Sequence, residues 1–265
     1  MYIHDTRSST GGNSYEAFLF QNLTLKPQFH RNYEVMYVFE GSVNLTVDGR
    51  NTVVEAGDFA LFLSNEVHEM VPIGFSKCWF GVFSDDFVPE FHKAVTGKTA
   101  SDCRFHCDDN LMPFLQDNLL FPGIPCIYRL RAALYILCGE YLRSVTLVDR
   151  TNPEYALMND IVNFISENYQ KKLILKDVAH ALGYDYFYFS KLFHQTFGQS
   201  FNDYLSTYRF NAAIRALTDS ELPIGTIASE SGFQSIRSFN DIFLKRTGMS
   251  PVKYRKSLSG MNQQI

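Results

Sequence analysis

Two sets of side chains in this chain have the types and spacing to do chemistry. The first is Phe187, Ser190, Lys191 and His194, echoed further along by Arg237, Asn240 and Asp241. Each group lies opposite an apolar stripe at helical spacing, Phe189, Leu192 and Phe193 in one case and Phe239, Ile242 and Phe243 in the other. Arg, Asn, Ser and Lys on a free helix face hydrogen-bond base edges and phosphates, so this chemistry is recognition of duplex DNA. The second set is His30, Glu34 and His68. Imidazole and carboxylate together bind a polar small molecule or ligate Fe, Mn or Zn.

The elements that must position the first set come from one pattern written twice. Leu175, Val178, Ala179, Gly183, Tyr184, Phe189, Phe193, Gly198 and Ser200 reappear as Ile224, Ile227, Ala228, Gly232, Phe233, Phe239, Phe243, Gly248 and Ser250. The offset is 49 residues up to the glycine turn and 50 beyond it, so one residue is inserted between. Each copy reads as a short helix, a glycine turn and an amphipathic second helix, the helix-turn-helix plan. Gly183 and Gly232 let the first helix end in a left-handed conformation, and Asp185 and Ser235 are placed to cap the second. One copy alone reads equally well as a helical bundle with a solvated face. Two aligned copies argue against that.

The run Tyr204–Leu205, Arg209, Ala213, Ile224, Ile227–Ala228, Gly232–Phe233, Phe239, Phe243, Gly248, Ser250–Pro251 and Tyr254–Arg255 resembles the DNA-binding domain of the AraC/XylS family. The resemblance implies two helix-turn-helix units joined by a long helix, here 201–218, that holds the reading helices about one DNA turn apart. Matched position by position, it implies Phe187, Ser190, Lys191 and His194 as first-unit DNA contacts. Ile236, Arg237, Asn240 and Asp241 are those of the second. Lys191, Lys245 and Arg246 are expected on phosphates, and Arg209 within the fold. Arg237 suits guanine, Asn240 adenine and Phe187 a thymine methyl. Asp241 departs from the pattern, since a donor is common there, and its carboxylate repels phosphate.

The second set sits among predicted strands. Tyr33 to Phe39 is a near-continuous apolar run, Val43, Leu45 and Val47 alternate up to the hairpin signal Asp48–Gly49, and Phe59–Leu63 and Lys77–Phe83 add further strands. Many short strands with tight turns suggest a small barrel. Gln28-x-His30-x3-Glu34-x6-Gly41 and Gly57-x10-His68 are similar to the two cupin motifs, with Gln28 for the first His and Leu63 and Asn65 for a Pro and a Gly. With that His missing, no metal and no cofactor is expected. The barrel interior is the expected effector site, with His30, Glu34, Tyr37, His68 and Trp79 as candidates. Polar tips beside aromatic faces suit a sugar, although Tyr37 and Trp79 read equally well as core. Cys103 and Cys107 are expected to be incidental in a polar loop, and Cys78, Cys126 and Cys138 to be small core residues.

A short helix is predicted over 110–121, broken by Pro122–Gly123 and Pro125. A long one follows over 126–148, with a stripe of Ile127, Leu130, Leu134, Leu137 and Tyr141. The resemblance implies that this helix pairs two subunits. Packing on its own barrel is the alternative, and Ala133, Ile136 and Leu142 on another face allow both. Residues 148–154 are polar and read as a linker, and 156–169 resumes helical periodicity.

The whole chain agrees. Its 265 residues suffice for two cores. The net charge of −4 hides an asymmetry: residues 151–265 carry 12 Lys and Arg against 10 Asp and Glu, whereas 1–150 carry 12 against 18. The basic excess lies in the DNA-binding half. No signal peptide or bilayer-length apolar run is expected, so the protein reads as cytoplasmic with its five cysteines reduced. The expected fold is α+β: a cupin-like sensing barrel at 1–100, a helical dimerisation segment and linker at 101–150, and an all-α double helix-turn-helix domain at 154–258. The expected function is a sequence-specific transcription regulator, an activator by resemblance, and not an enzyme. Its expected partners are duplex operator DNA, a small-molecule effector, RNA polymerase and a second copy of itself, with no membrane. A metal-dependent cupin enzyme and a ligand-independent regulator using the barrel as a dimer scaffold are the alternatives.

Overall fold

The computed structural model describes residues 3–4, 15–121, 126–150 and 153–261. They divide into two compact units, Tyr2–Ala156 and Leu157–Ile265. The first contains strands β1 (Ile3–His4), β2 (Tyr15–Gln21), β3 (Leu25–Phe29), β4 (Tyr33–Val47), β5 (Arg50–Glu55), β6 (Phe59–Phe62), β7 (His68–Phe83), β8 (Lys98–Ala100), β9 (Arg104–Phe105) and β10 (Leu147–Asp149). Its helices are α1 (Pro89–Val95), α2 (Met112–Leu115), extended by a π-helical turn over Gln116–Leu120, and α3 (Ile127–Ser144).

The spine is the antiparallel pair β4 and β7, in register from Tyr33↔Phe83 to Val47↔His68. The hydrogen-bonded order is β1-β3-β7-β4-β6-β9, with β2 also on β7 and β5 on β4. The first part of β4 is buried on both faces, which is why its sequence, Glu34 apart, is a run of apolar and aromatic residues instead of an alternation. Two register shifts, at Val38/Glu40 and Gly41/Ser42, interrupt the pair. They change the parity of the strand, so that Met36 and Val38 before the irregularity share a cluster with Val43, Leu45 and Val47 after it. Gly41 sits there at φ +75°, where a Cβ would stand 1.9 Å from the Phe75 carbonyl oxygen. The Asp48–Gly49 turn takes positive φ at both residues, as the hairpin signal demands.

The sheet therefore has two packed faces. One encloses Met36, Val38, Leu45, Phe62, Met70 and Phe80. The other carries Tyr33, Val35, Phe59 and Trp79 beneath Phe91 of α1 and Leu130, Leu134, Leu137 and Tyr141 of α3.

Several expectations about this unit need correction. The long helix ends at Ser144 rather than Val148, and Leu147–Asp149 forms β10 against β8. Val148, Asp149 and Arg150 are thus not linker: Arg150 is held by an ion pair to Asp48 at 2.8 Å, with both side chains buried. Local polarity looks the same whether a charge is solvated or paired at a distance. Thr151 and Asn152, and the expected break at Pro122, Gly123 and Pro125, lie outside the described residues. Cys103 and Cys107 are buried, on opposite faces of the sheet, and not in a polar loop. Cys126 is exposed, just ahead of α3, and Ile127 is exposed too, because the buried stripe starts only at Leu130.

Among the described residues the second unit has helices and no strand: α4 (Pro153–Asn168), which starts just ahead of its boundary, α5 (Leu175–Ala181), α6 (Tyr186–Phe197), α7 (Phe201–Asp219), α8 (Ile224–Glu230), α9 (Ile236–Thr247) and α10 (Pro251–Met261). The long helix α7 belongs to both copies of the repeat. Near its start Tyr204 packs edge-on against Phe193 of α6, and further along Phe210 packs against Phe243 of α9. Because each copy's core includes part of one continuous helix, the two are fixed to each other through it. Among the described residues, no helix is long and apolar enough to cross a membrane.

Candidate nucleic-acid interface and sensor site

Both turns are built as the sequence requires. Gly183 at φ +77° and Gly232 at φ +85° follow α5 and α8. The next amide reaches back five residues, Tyr184 N–H to the Ala179 carbonyl and Phe233 N–H to the Ala228 carbonyl, closing the helix end in a Schellman arrangement. The Asp185 carboxylate accepts from the Phe187 and Tyr188 amides at 2.9 and 3.1 Å, and the Ser235 hydroxyl accepts from the Ser238 amide at 3.1 Å. Each second helix thus has a fixed start, and its face is determined by which side is apolar. Phe189 and Phe193 are buried in α6, Phe239 and Phe243 in α9.

The predicted contact residues fall on the other side. Phe187 is 79% exposed, Lys191 and His194 are exposed, and Ser190 is half-buried. In α9, Ile236, Arg237, Asn240, Asp241, Lys245 and Arg246 are all exposed. Three of these have intramolecular ties that the sequence reading did not foresee. Arg237 and Asp241 face each other at 4.0 Å, one turn apart. Arg246 donates to the Thr207 hydroxyl at 2.8 Å and lies over the Phe210 ring, linking α9 to α7. Arg209, expected within the fold, donates to the Tyr169 and Lys171 carbonyls at 2.8 and 2.7 Å, closing the end of α4. Exposed Tyr184, Tyr186 and Tyr188 surround Phe187 and were missed. Their run of aromatics before the apolar stripe was the available signal.

In the first unit the structure brings together three of the five effector candidates. His30 donates from Nδ1 to the Asn32 carbonyl at 2.8 Å, and His68 from Nδ1 to the Glu66 carbonyl at 2.9 Å. A carbonyl only accepts, so both Nδ1 atoms carry hydrogen and both Nε2 atoms turn toward Glu34. They stand 2.7 and 3.8 Å from Glu34 Oε2. Phe62 stacks on His68, and Gln28 reaches its Nε2 at 3.4 Å. Burial pushes the His68 imidazole below its usual range, against the pull of Glu34. Asn65 fills the place of the missing glycine by adopting φ +58°, and its amide bonds to the His30 carbonyl. The three ligand atoms lie within 4.8 Å of one another, so His30, Glu34 and His68 are the groups that could hold a metal, oriented by carbonyls behind them.

Tyr37 and Trp79 are not with them. They pair across β4 and β7 on the face covered by the helices. Glu34 and Tyr37 are three residues apart in a strand, which puts them on opposite faces. The expectation of five side chains lining one interior is corrected to a trio on one side and two core aromatics on the other. The reading missed Glu66 and Arg150, two buried charges linked through space.

Comparison with known proteins agrees with both halves. Residues 178–257 match the family model described as a helix-turn-helix domain, and residues 16–122 match the one described as an AraC-like ligand binding domain. The chain is 24% identical to the Msm operon regulatory protein of Streptococcus mutans, covering 88% of this chain and 87% of that protein. It is 32% identical to the melibiose operon regulatory protein of Escherichia coli, but over only 37% of this chain and 33% of that protein. Among solved structures, ToxT from Vibrio cholerae with an unsaturated fatty acid bound superposes with a TM-score of 0.50 at 14% identity, covering 95% of this chain and 98% of that chain. That likeness is one of fold.

Proposed function

Because this chain belongs to the AraC/XylS family of transcription regulators, we propose that it is a homodimeric activator whose DNA binding is controlled by a small molecule. It acts in the cytoplasm, on its own operator and with RNA polymerase. The observation that carries the reading is α7. One helix contributes to the cores of two like-built units, each presenting an exposed polar helix face, so two adjacent major grooves are read by one rigid body.

In this reading residues 1–100 sense the effector, 101–150 pair two subunits, and 154–258 bind DNA. Phe187, Ser190, Lys191 and His194 contact one half of the site, and Ile236, Arg237, Asn240, Asp241, Lys245 and Arg246 the other. Pairing is supported by α3. One face is spent on its own sheet, while Tyr128, Ala132, Tyr135, Gly139 and Leu142 are exposed at steps of four and three. Large and small residues alternate along that seam, so the large ones of one helix can face the small ones of an antiparallel copy. The effector belongs in the sheet domain. A sugar is favoured because relatives are named for the melibiose and lactose operons, and His30, Glu34 and His68 are the polar candidates of the original five. The test is selection of bound fragments from a random DNA pool, with and without a metabolite panel. Enrichment of paired half-sites about one turn apart is the expected result, and unselective binding defeats the reading. Sedimentation showing only monomer at micromolar concentration removes the dimer.

A second reading, a metal-dependent enzyme, is favoured by one observation, the convergence of His30, Glu34 and His68. Elemental analysis decides between them. Stoichiometric iron or manganese in the purified protein moves the assignment toward it.

A further inference from the structure

We propose that the effector is a small, neutral polyhydroxy molecule held between Arg50, Glu66 and Asp102, and that it reaches the DNA-binding unit through Arg150. The proposal rests on the effector-controlled reading above and moves the contact from the histidine trio to a cavity beside it. That cavity measures about 90 Å³. At roughly 30 Å³ per water it has room for about three waters, so it takes a short polyol or one diol edge of a sugar. Its back wall includes Val47 and Cys103, from the cluster that the sheet encloses.

The lining decides the ligand class. Arg50 only donates, Glu66 and Asp102 accept when ionised, and the Thr52 and Ser101 hydroxyls do either. A vicinal diol, each hydroxyl both donor and acceptor, satisfies such a mixture. An anion would face two carboxylates, and a cation would face Arg50.

The same residues lead out of the cavity. Arg50 Nη2 donates to Thr99 Oγ1 at 2.6 Å, and that hydroxyl donates to Glu66 Oε1 at 2.7 Å. Glu66 Oε1 lies 3.9 Å from Arg150 Nη2, which is paired to Asp48 at 2.8 Å. Burial raises the Glu66 carboxyl above its ordinary range while Arg150 draws it back down. The backbone follows the same route: Thr99 pairs with Val148, and the Ser101 amide donates to the Thr146 carbonyl. Arg150 is three residues ahead of Pro153, where α4 begins. A hydroxyl that takes up Arg50 or Glu66 breaks the Thr99 bridge and changes how Arg150 is shared between two acids. The exit of the chain from the sheet is therefore sensitive to what fills the cavity.

The test uses the full chain with free pentoses, hexoses and their alditols as probes. It reads thermal shift, calorimetric Kd and affinity for a selected operator fragment. At least one probe is expected to raise Tm. Asp102→Leu, which fills the cavity from a partly exposed position, is expected to weaken that probe at least tenfold, and Asp102→Asn guards against misfolding. Arg150→Lys is expected to keep probe affinity within threefold while the probe's effect on DNA affinity drops below twofold. Undiminished binding by both Asp102 variants, intact coupling in Arg150→Lys, or no Tm shift from any probe overturns the proposal. A metabolite of another class that alters DNA affinity, is blind to Asp102→Leu and is lost in His68→Asn sinks the cavity and leaves effector control standing. DNA affinity that no metabolite alters sinks both.

Discussion

The two helix-turn-helix copies share their turns, caps and phenylalanine stripes, yet they differ in two ways. The first presents aromatics at the start of its reading helix, Tyr186, Phe187 and Tyr188, where the second presents Ile236, Arg237 and Ser238. The turn glycines also differ in surroundings. A Cβ on Gly183 meets nothing within 4 Å, whereas one on Gly232 would stand 2.5 Å from the Tyr169 carbonyl oxygen and 2.9 Å from Arg209 Nε. The second copy is packed against the end of α4 and the first is open at that point. The motif fixes the turn, and the neighbours decide how much depends on it.

The largest expected effect follows from that contrast. Gly183→Ala should cost about 1–2 kcal/mol, the left-handed penalty alone. Gly232→Ala adds overpacking against backbone, for a total of about 2–5 kcal/mol. Urea unfolding measures both, and equal losses would mean that the two turns are equivalent after all. Next comes Arg237→Ala, which should relax specificity at one half-site by about 1–3 kcal/mol. A uniform loss over all sequences would reassign Arg237 to phosphate.

Asp185→Ala and Ser235→Ala remove the caps and should cost about 0.5–2 kcal/mol each. Asp185 is expected at the upper end, because its carboxylate accepts from two amides and also faces the positive end of α6. Phe187→Ala should leave stability within about 0.5 kcal/mol, since the ring is exposed, and weaken binding on the order of 0.8 kcal/mol at a thymine-bearing site. The smallest effect is Asp241→Asn. Releasing Arg237 and removing a charge that repels phosphate should strengthen binding by up to about 0.5 kcal/mol, more at low salt than at high. Weaker binding in that variant would show Asp241 accepting from a base.

Much of this was legible in the sequence because the signals are local. Gly183 and Gly232 need positive φ, Asp185 and Ser235 sit at helix starts, and the phenylalanine spacing fixes which face is buried. Where the reading failed, the missing information was long-range. Arg150 looked like linker because its partner Asp48 is a hundred and two residues away. Tyr37 was placed with Glu34 although strand parity separates them. Cys103 and Cys107 looked solvated, since flanking polarity says nothing about what covers a side chain.

By itself the sequence determined that two helix-turn-helix units exist, where each begins and ends, and which residues each turns outward. Helical periodicity, caps and glycine turns act within a few residues and need no distant partner. Only the tertiary structure decided which charges are paired and where the sheet domain has room. Pairing and cavities arise where segments far apart in the chain meet, and their free energy depends on burial that no local pattern encodes.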